Sequence, residues 1–153
     1  MPAKLLKEFL DKEHTRYITI PHPPAYTAQE IAATAHVPGK ELAKTVIVKM
    51  DGKLAMLVLP SDRKIVLQEL REMFGVDDIR FASEEEFKSR FPDCEIGAMP
   101  PFGNLYGMEV YVAPGLTEDE EIAFNAGTHT ELVRMPYREF ARLVKPQVVA
   151  FST

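Results

Sequence analysis

The chain has 153 residues, of which 46% are hydrophobic and 27% are charged. This size and composition predict one globular domain over residues 1–153 with a sizeable core, and they exclude a disordered tail. The formal net charge of -5 has the wrong sign for a protein that coats nucleic acid by bulk electrostatics. Any nucleic-acid partner must therefore be held locally, and we expect no DNA partner.

Cysteine content and hydropathy indicate the compartment. Cys94 is the single cysteine and cannot form an internal disulfide, so the sequence gives no indication of an oxidising compartment. No stretch approaches the roughly 20 apolar residues of a membrane helix, and charges interrupt the N-terminal apolar positions where a signal peptide needs an unbroken run. We expect a cytoplasmic protein with no membrane partner.

The first third of the chain predicts a helix, a strand and a second helix. Four apolar residues share one helical face near the N-terminus: Leu5, Leu6, Phe9 and Leu10. Residues 16–20 have the alternation and β-branching of a strand that stops at Pro21. Thr27 and Glu30 have the spacing of a capping box, which predicts a helix from there to about Val37.

A β-hairpin is the clearest element of the middle third. Residues 43–50 and 53–59 are apolar or β-branched runs around Asp51-Gly52, a pair that favours the positive φ angles of a tight turn. Ser61 is then placed to cap a helix that Gly75 would end in the left-handed conformation.

The remaining elements alternate between strand and helix. Strands are predicted at residues 79–81, 108–112, 121–124, 130–135 and 148–151. Ser83 and Glu86 form a second capping box for a short helix, and Tyr137, Phe140, Ala141 and Val144 have the spacing of a last helix that packs on a core. Hairpins together with crossovers predict an α/β or α+β domain around a mixed sheet.

Lys44 is the first candidate functional residue. Alternation along its strand places it on one face with Val46 and Val48, at the rim of an apolar surface. Such a lysine either extends its stem back to water or serves as a placed cation with a tunable pKa.

The loop of residues 96–103 is the second candidate. Gly97 and Ala98 let a ligand approach the main chain, while Pro100 and Pro101 hold the loop in a preset shape. The alternative is a plain connector between a helix and a strand. The chain has no P-loop ending and no Gly-x-Gly-x-x-Gly after a strand, so the usual signals of nucleotide binding are missing.

The third candidate is the turn at residues 125–130, which is small, polar and contains His129. His129 is either an exposed turn histidine or a hydrogen-bonding group that selects a substrate. His22, between prolines, is either part of the loop structure or a pocket edge.

Other chemistries lack their sequence signals. The four histidines and one cysteine show no metal-ligand spacing, Cys94 has no identifiable base, and no Gly-x-Ser-x-Gly elbow occurs. We therefore expect neither a metal nor a cofactor.

Three segments in this order resemble the YbaK/prolyl-tRNA-synthetase-associated-domain family: the Ala-Lys-Thr-Val-Ile-Val strand, the Gly-Ala-Met-Pro-Pro-Phe-Gly loop and the Asn-Ala-Gly-Thr-His-Thr turn. The resemblance spans nearly the whole chain. It implies a mixed, partly barrel-like sheet surrounded by helices, and a free-standing editing domain that hydrolyses the ester between a wrong amino acid and its tRNA.

The resemblance also implies residue roles. Lys44 matches the lysine that holds the phosphate beside the terminal adenosine, and Gly97 matches the glycine whose main chain positions the reacting group. The resemblance implies that Ala98, Met99, Pro100, Pro101 and Gly103 wall the pocket, and that Gly127 and His129 lie where members choose between amino-acid side chains. His22, the possible pocket edge, is added to this set as a substrate-binding candidate. Many members have Gly-Gly-x-Ser-Pro where this chain has Gly97-Ala98-Met99-Pro100-Pro101.

The leading hypothesis is a trans-acting aminoacyl-tRNA deacylase, of the type that acts on tRNA for proline, which binds the 3' end of its substrate and works with an aminoacyl-tRNA synthetase. An activated ester needs no metal or covalent nucleophile if water or the ribose hydroxyl is positioned against its carbonyl. Affinity would come from a few local cations: Lys40, Lys44, Arg63 and Lys64. The alternatives are a non-catalytic module that binds aminoacyl-tRNA or a synthetase, and a lyase with Lys44 as Schiff-base nucleophile.

Overall fold

The fold is described from a computed structural model that covers residues 3–153. Its α-helices within that range are α1 (Lys4–Lys12), α2 (Ala28–Ala35), α3 (Leu67–Phe74), α4 (Glu84–Phe87), α5 (Pro114–Thr117) and α6 (Tyr137–Val144). Its strands are β1 (Ile18–Pro21), β2 (Leu42–Met50), β3 (Lys53–Pro60), β4 (Ile79–Phe81), β5 (Glu109–Val112), β6 (Glu121–Asn125), β7 (Glu131–Pro136) and β8 (Gln147–Val148). Short 3-10 turns occupy Lys88–Arg90 and Gly103–Leu105.

The eight strands of the described range form one mixed sheet, in which seven follow the order β1-β7-β6-β2-β3-β5-β8 and β4 pairs with β2 off this path. β2 is central because β3 pairs along one of its edges, while β6 and β4 pair with the start and the end of the other edge. The pairs of β2 with β6, β3 with β5 and β5 with β8 are parallel, and the others are antiparallel. The predicted mixed sheet with surrounding helices is confirmed.

The two faces of the sheet carry separate hydrophobic clusters. One face holds the largest cluster, in which Phe102 packs against Phe9, Phe124 and Phe140 with ring centroids 5.5–6.2 Å apart. The other face holds two smaller clusters, one beneath α3 and one beneath α2. Successive side chains of β2 point to opposite faces of the sheet, so Ala43 joins the large cluster and Leu42 joins the cluster beneath α2.

The local signals of the sequence are confirmed at the hairpin and at both capping boxes. Asp51 and Gly52 have φ angles of 46° and 86°, the positive values that the tight turn requires. The Thr27 hydroxyl accepts from the N–H of Glu30 at 3.1 Å, and Ser83 and Glu86 form the second box.

The start of α3 differs from the prediction. Ser61 does not cap it; the Ser61 hydroxyl instead donates to the carbonyl of Gly39 at 2.8 Å, and the helix begins at Leu67. Ile65 forms a bridge with Ser152, and the N–H of Val66 donates to the carbonyl of Phe151 at 2.7 Å. Pairing with the C-terminal segment therefore holds residues 65–66 extended, where the local signal predicted helix.

The ends of the first and last strands also shift. β1 begins at Ile18 and includes Pro21, which is its last paired residue. β8 is confined to two residues, although Val149 and Phe151 beyond it are buried. The apolar pattern of residues 148–151 therefore reflects burial more than strand pairing.

Candidate functional site

Lys44 lies in β2 on the face that carries the two smaller clusters. It is half-buried, and its ammonium group has no hydrogen bond or ion pair to any other residue that the structure describes. Burial lowers the pKa of Lys44; the charge of Asp62 opposes this and that of Lys64 adds to it. An unpaired, partly desolvated cation is well suited to bind an anionic group.

Asn125 corresponds to Lys44 on the neighbouring strand. The parallel register of β2 and β6 pairs Leu42 with Ala123, so one alternation further Lys44 and Asn125 occupy matching positions on the same face. In the antiparallel register, Asn125 pairs with Leu132 of β7, and Leu132 pairs with Ile20 of β1. Lys44 and these three residues therefore form one row across the strands. The row runs beside the cluster beneath α2, at the carboxyl ends of β1 and β6.

The loop that contains Gly97 docks against the turn that follows β6. The N–H of Gly127 donates to the carbonyl of Ala98 at 2.9 Å, and the carbonyl of Gly127 accepts from the N–H of Glu95 at 2.7 Å. A side chain on Gly127 would place its Cβ 2.7 Å from the Cβ of Ala3, and its φ is +101°. Gly127 therefore acts through its main chain, and the space beside it is already filled.

Gly97 faces His129 across this junction. Its φ is +88°, and a Cβ there would lie 3.4 Å from Cε1 of His129. The N–H of Gly97 points to the sulfur of Met99 at 3.2 Å. Because a thioether is a weak acceptor, this N–H remains available to a better one.

His129 joins three segments of the chain. Its ring Nε2 lies 2.9 Å from the carbonyl oxygen of Ile96, and its main-chain N–H donates to Oε1 of Glu95 at 2.9 Å. Its carbonyl accepts from the N–H of Ala25 at 3.2 Å, and its ring packs on Tyr26 with centroids 4.7 Å apart.

His22 lies on the same side of this junction, directly after β1. It is 7% exposed, its N–H donates to the carbonyl of Thr130 at 2.8 Å, and its Nδ1 lies 2.8 Å from the carbonyl oxygen of Pro23. We call the segments 22–26, 95–98 and 125–130, together with Lys44, the β6-end site.

The second half of the 96–103 loop leaves this site. Ala98, Met99, Pro100, Pro101 and Gly103 are all buried. Met99 belongs to the large cluster, and a Cβ on Gly103 would come 2.8 Å from Cγ2 of Val110 in β5. The structure thus brings His22, Gly97, Gly127 and His129 together, and the register of β2 with β6 puts Lys44 across from Asn125 at the start of the same turn, whereas Gly103 packs with β5.

Sequence reasoning assigned no role to Asn125, Glu95 or Tyr26. Asn125 directly follows the apolar, buried residues 122–124 of β6, and this polar position after a buried run was the available signal. Glu95 and Tyr26 had no signal, because their contacts with His129 depend on loop packing.

A comparison of the sequence with known protein families gives one match. Residues 22–143 match the family described as the aminoacyl-tRNA editing domain. The chain belongs to this family. The match covers the whole β6-end site.

Two curated relatives place this editing domain in context. It is 31% identical over 91 residues to a proline–tRNA ligase of Staphylococcus saprophyticus, and 28% identical over 108 residues to one of Nitratidesulfovibrio vulgaris. These matches cover 59% and 71% of the chain but only 15% and 18% of the ligases. The chain thus spans less than a fifth of the length of these relatives.

Among solved structures, the fold is similar to that of a candidate trans-editing enzyme for prolyl-tRNA synthetase. The TM-score is 0.84 at 20% identity, and the superposition covers 99% of this chain and 96% of the other. At this identity the likeness establishes the fold.

A separate cleft of the editing domain lies elsewhere. Its volume is about 780 Å³, and it sits beside the tip of the β2–β3 hairpin. Charged and aromatic residues line it, among them Lys49, Lys53, Phe74, Glu86, Arg90, Glu109 and Tyr111. None of the predicted site residues lines this cleft, which we call the hairpin-tip cleft.

Three further features bear on the chemistry. Within residues 3–153, no three His, Cys, Asp or Glu side chains lie close enough to hold a metal ion together. No helix in that range is long and apolar enough to cross a membrane. Burial, the largest cause, raises the pKa of Cys94 to about 12, so this thiol is protonated at neutral pH.

Proposed function

We propose that this editing domain is a trans-acting aminoacyl-tRNA deacylase. The observation that carries the proposal is Lys44, a half-buried cation that has no ion pair with any residue of the described range 3–153 and lies across from Asn125, where the turn to Gly127 and His129 begins. Family membership supports editing as the role, and the position of Lys44 supports a cation that binds a phosphate next to the ester.

The proposed reaction is hydrolysis of the ester between an amino acid and the terminal ribose. A water molecule adds to the ester carbonyl carbon, and the tetrahedral intermediate expels the ribose oxygen. That oxygen takes up the proton that the attacking water has lost, which leaves a free amino acid and a tRNA hydroxyl. The neighbouring ribose hydroxyl of the substrate is placed to orient the water.

The domain would contribute positioning and charge. Lys44 would bind the terminal phosphate, which fixes the ribose relative to the site. The N–H of Gly97, which among the described residues contacts the sulfur of Met99 alone, would donate to the oxygen that gains negative charge. Removal of one such donor in other enzymes costs about 100-fold to 1,000-fold in rate.

The substrate class follows from the relatives as part of the same proposal. Proline–tRNA ligases match the editing domain in sequence, so we extend the proposal to tRNA for proline that carries a smaller amino acid. A synthetase is the partner that would hold the rest of the tRNA, because the net charge of -5 provides little long-range attraction. This substrate would place the protein in the cytoplasm.

Turnover of mischarged tRNA tests the proposal directly. The protein is incubated with alanyl-, cysteinyl- and seryl-tRNA for proline and with correctly charged prolyl-tRNA, and free amino acid is measured over time. We expect release from at least one mischarged species and none from prolyl-tRNA. Tight binding without turnover by the folded protein would contradict the proposal and favour a non-catalytic binding module.

A further inference from the structure

Residues 95–98 form a β-turn that carries Gly97. The N–H of Ala98 donates to the carbonyl of Glu95 at 3.1 Å, which closes the turn. Gly97, the third residue of the turn, has a φ of +88°, whereas the φ of Ile96 is not positive. A negative φ followed by a positive one is the pattern of a type II turn. The tip of the turn is therefore the peptide group that joins Ile96 to Gly97.

Glycine does not by itself fix the orientation of this tip peptide. Glycine adopts positive and negative φ about equally readily, so rotation of the peptide by about 180° would convert the turn to type I without a clash at Gly97. The carbonyl and the N–H of one trans peptide point in opposite directions. The rotation would therefore put the Ile96 carbonyl oxygen where the proposed reaction needs the Gly97 N–H.

Gly127 holds the two ends of the turn. The N–H of Glu95 donates to the carbonyl of Gly127 at 2.7 Å, and the N–H of Gly127 donates to the carbonyl of Ala98 at 2.9 Å. Neither hydrogen bond involves the tip peptide. Both are therefore compatible with either orientation of that peptide.

His129 holds the tip. Its ring Nε2 lies 2.9 Å from the carbonyl oxygen of Ile96, and a carbonyl oxygen can only accept, so Nε2 is the donor. This bond keeps the Ile96 carbonyl on the side of His129. The Gly97 N–H then points to the opposite side, where it contacts the sulfur of Met99 alone among the described residues.

The side chain of Glu95 connects His129 to the turn. Its Oε1 accepts from the main-chain N–H of His129 at 2.9 Å. Glu95 thus closes the turn with its carbonyl, binds Gly127 with its N–H and binds His129 with its carboxylate. It is the residue through which the histidine that holds the tip is tied to the turn itself.

We infer that Glu95 is a positioning residue, which sets the direction of the Gly97 N–H by acting through His129. The inference rests on the proposed deacylase function and deepens it, because this N–H is the donor proposed to meet the negative charge on the ester oxygen. Glu95 acts as a hydrogen-bond acceptor in this role, so an uncharged acceptor of the same length should replace it.

Nuclear magnetic resonance tests the orientation without turnover. In a type II turn the Hα of Ile96 lies close to the Gly97 N–H, which gives a strong nuclear Overhauser effect, and rotation of the peptide weakens it. In the full chain we expect a strong effect for wild type and for Glu95→Gln, which keeps an acceptor oxygen. We expect a weak effect for Glu95→Met, which keeps the length but offers only a thioether. A strong effect in Glu95→Met, or a weak one in wild type or Glu95→Gln, would overturn the inference.

Steady-state kinetics with a mischarged tRNA separate positioning from binding. The Gly97 N–H would act on charge that develops in the transition state, so its misdirection should lower kcat and leave KM unchanged. We expect Glu95→Met to lower kcat at least about tenfold with KM within about threefold, and Glu95→Gln to keep both within about threefold. A loss of kcat in Glu95→Gln equal to that in Glu95→Met would assign the effect to charge and overturn the inference.

Glu69→Met is the matched control, because Glu69 is an exposed glutamate of α3 outside the β6-end site. It should keep the wild-type kcat and KM. Unfolding could imitate a tenfold loss of kcat only if about nine-tenths of the protein were unfolded, and the resonance spectra of the same samples would reveal that fraction.

The inference and the deacylase proposal fail separately. If the Overhauser effect follows the acceptor at position 95 but wild type hydrolyses no mischarged tRNA, orientation by Glu95 stands and the deacylase proposal fails. If wild type hydrolyses a mischarged tRNA and Glu95→Met does so with the same kcat, the deacylase proposal stands and the inference is wrong.

Discussion

The β6-end site and the hairpin-tip cleft occupy opposite parts of the same sheet and differ in how their polar groups are paired. In the cleft, Glu86 accepts from Arg80 at 2.7 Å and from Lys49 at 3.0 Å, and Tyr111 donates to Glu109 at 2.7 Å. At the β6-end site, the Lys44 ammonium group has no partner among the described residues, and the N–H of Gly97 contacts, among them, the sulfur of Met99 alone.

The pairing of the polar groups, rather than the size of the opening, indicates which of the two regions is suited to bind a ligand. The hairpin-tip cleft has a volume of about 780 Å³, but the carboxylate of Glu86 is already paired with Lys49 and Arg80, and that of Glu109 accepts from the hydroxyl of Tyr111. The hydrogen bonds of Glu86 with Arg80, Ser83 and Lys49 hold the pKa of its carboxyl well below the usual range. A ligand would have to compete with these pairs, whereas at the β6-end site it would satisfy groups that the fold leaves unpaired.

The largest effect is expected for Lys44→Ala. Loss of the unpaired cation removes the proposed phosphate contact and should lower kcat/KM for a mischarged tRNA by at least about 100-fold, or roughly 2.7 kcal/mol. Lys53→Ala, an exposed lysine at the other end of the same hairpin, is the matched control and should retain activity within a few fold. Equal losses in the two variants would remove the distinction between the regions.

The pH profile gives a second readout for the same lysine. Burial lowers the pKa of Lys44, so its charge is lost as pH rises at a lower value than the ~10.4 of an exposed lysine. Deacylation should therefore decline on the alkaline side before exposed lysines deprotonate.

A smaller effect is expected for Gly127→Ala compared with Gly52→Ala. Both glycines have positive φ, +101° and +86°, so both substitutions carry backbone strain. Only Gly127 is crowded, because its new Cβ would meet that of Ala3, whereas nothing lies within 4 Å at Gly52. We expect a loss of about 3 kcal/mol for Gly127→Ala and about 1 kcal/mol for Gly52→Ala in urea unfolding. Equal losses would show that crowding at the β6-end site contributes nothing.

The smallest effect is expected for Glu86→Gln, with Glu30→Gln as its counterpart in the other capping box. Glu86 binds Arg80 and Lys49 as well as its cap, whereas the side chain of Glu30 bonds, among the described residues, only to Thr27 of its own capping box. Glu86→Gln should lower Tm more than Glu30→Gln at neutral pH.

The pKa of Glu86 is depressed in the folded state, so its contribution is complete above the ordinary glutamate pKa of ~4.3 and is lost as pH falls below it. The Tm difference between wild type and Glu86→Gln should therefore shrink in acid. A difference that grows below pH 4 would contradict this assignment.

Much of the fold was predictable from short-range patterns. The Asp51-Gly52 turn and the two capping boxes were predicted correctly because each depends on residues within four positions of one another. The cap at Ser61 was predicted wrongly, because residues 65–66 pair with the C-terminal segment about 86 positions away. A capping signal depends only on neighbouring residues, so it cannot report pairing with a segment that is distant in the chain.

The sequence alone determined the mixed α/β class, the central hairpin and the face on which Lys44 lies. These features follow from periodicity, turn chemistry and strand alternation, all of which act between near neighbours. Only the tertiary structure decided that Asn125 stands beside Lys44, that Ala3 fills the space at Gly127, and that Gly103 belongs with β5. The first two outcomes depend on strand register and loop docking between residues more than 80 positions apart, as Lys44 and Asn125 are. The third depends on how the loop after residue 98 folds back on β5.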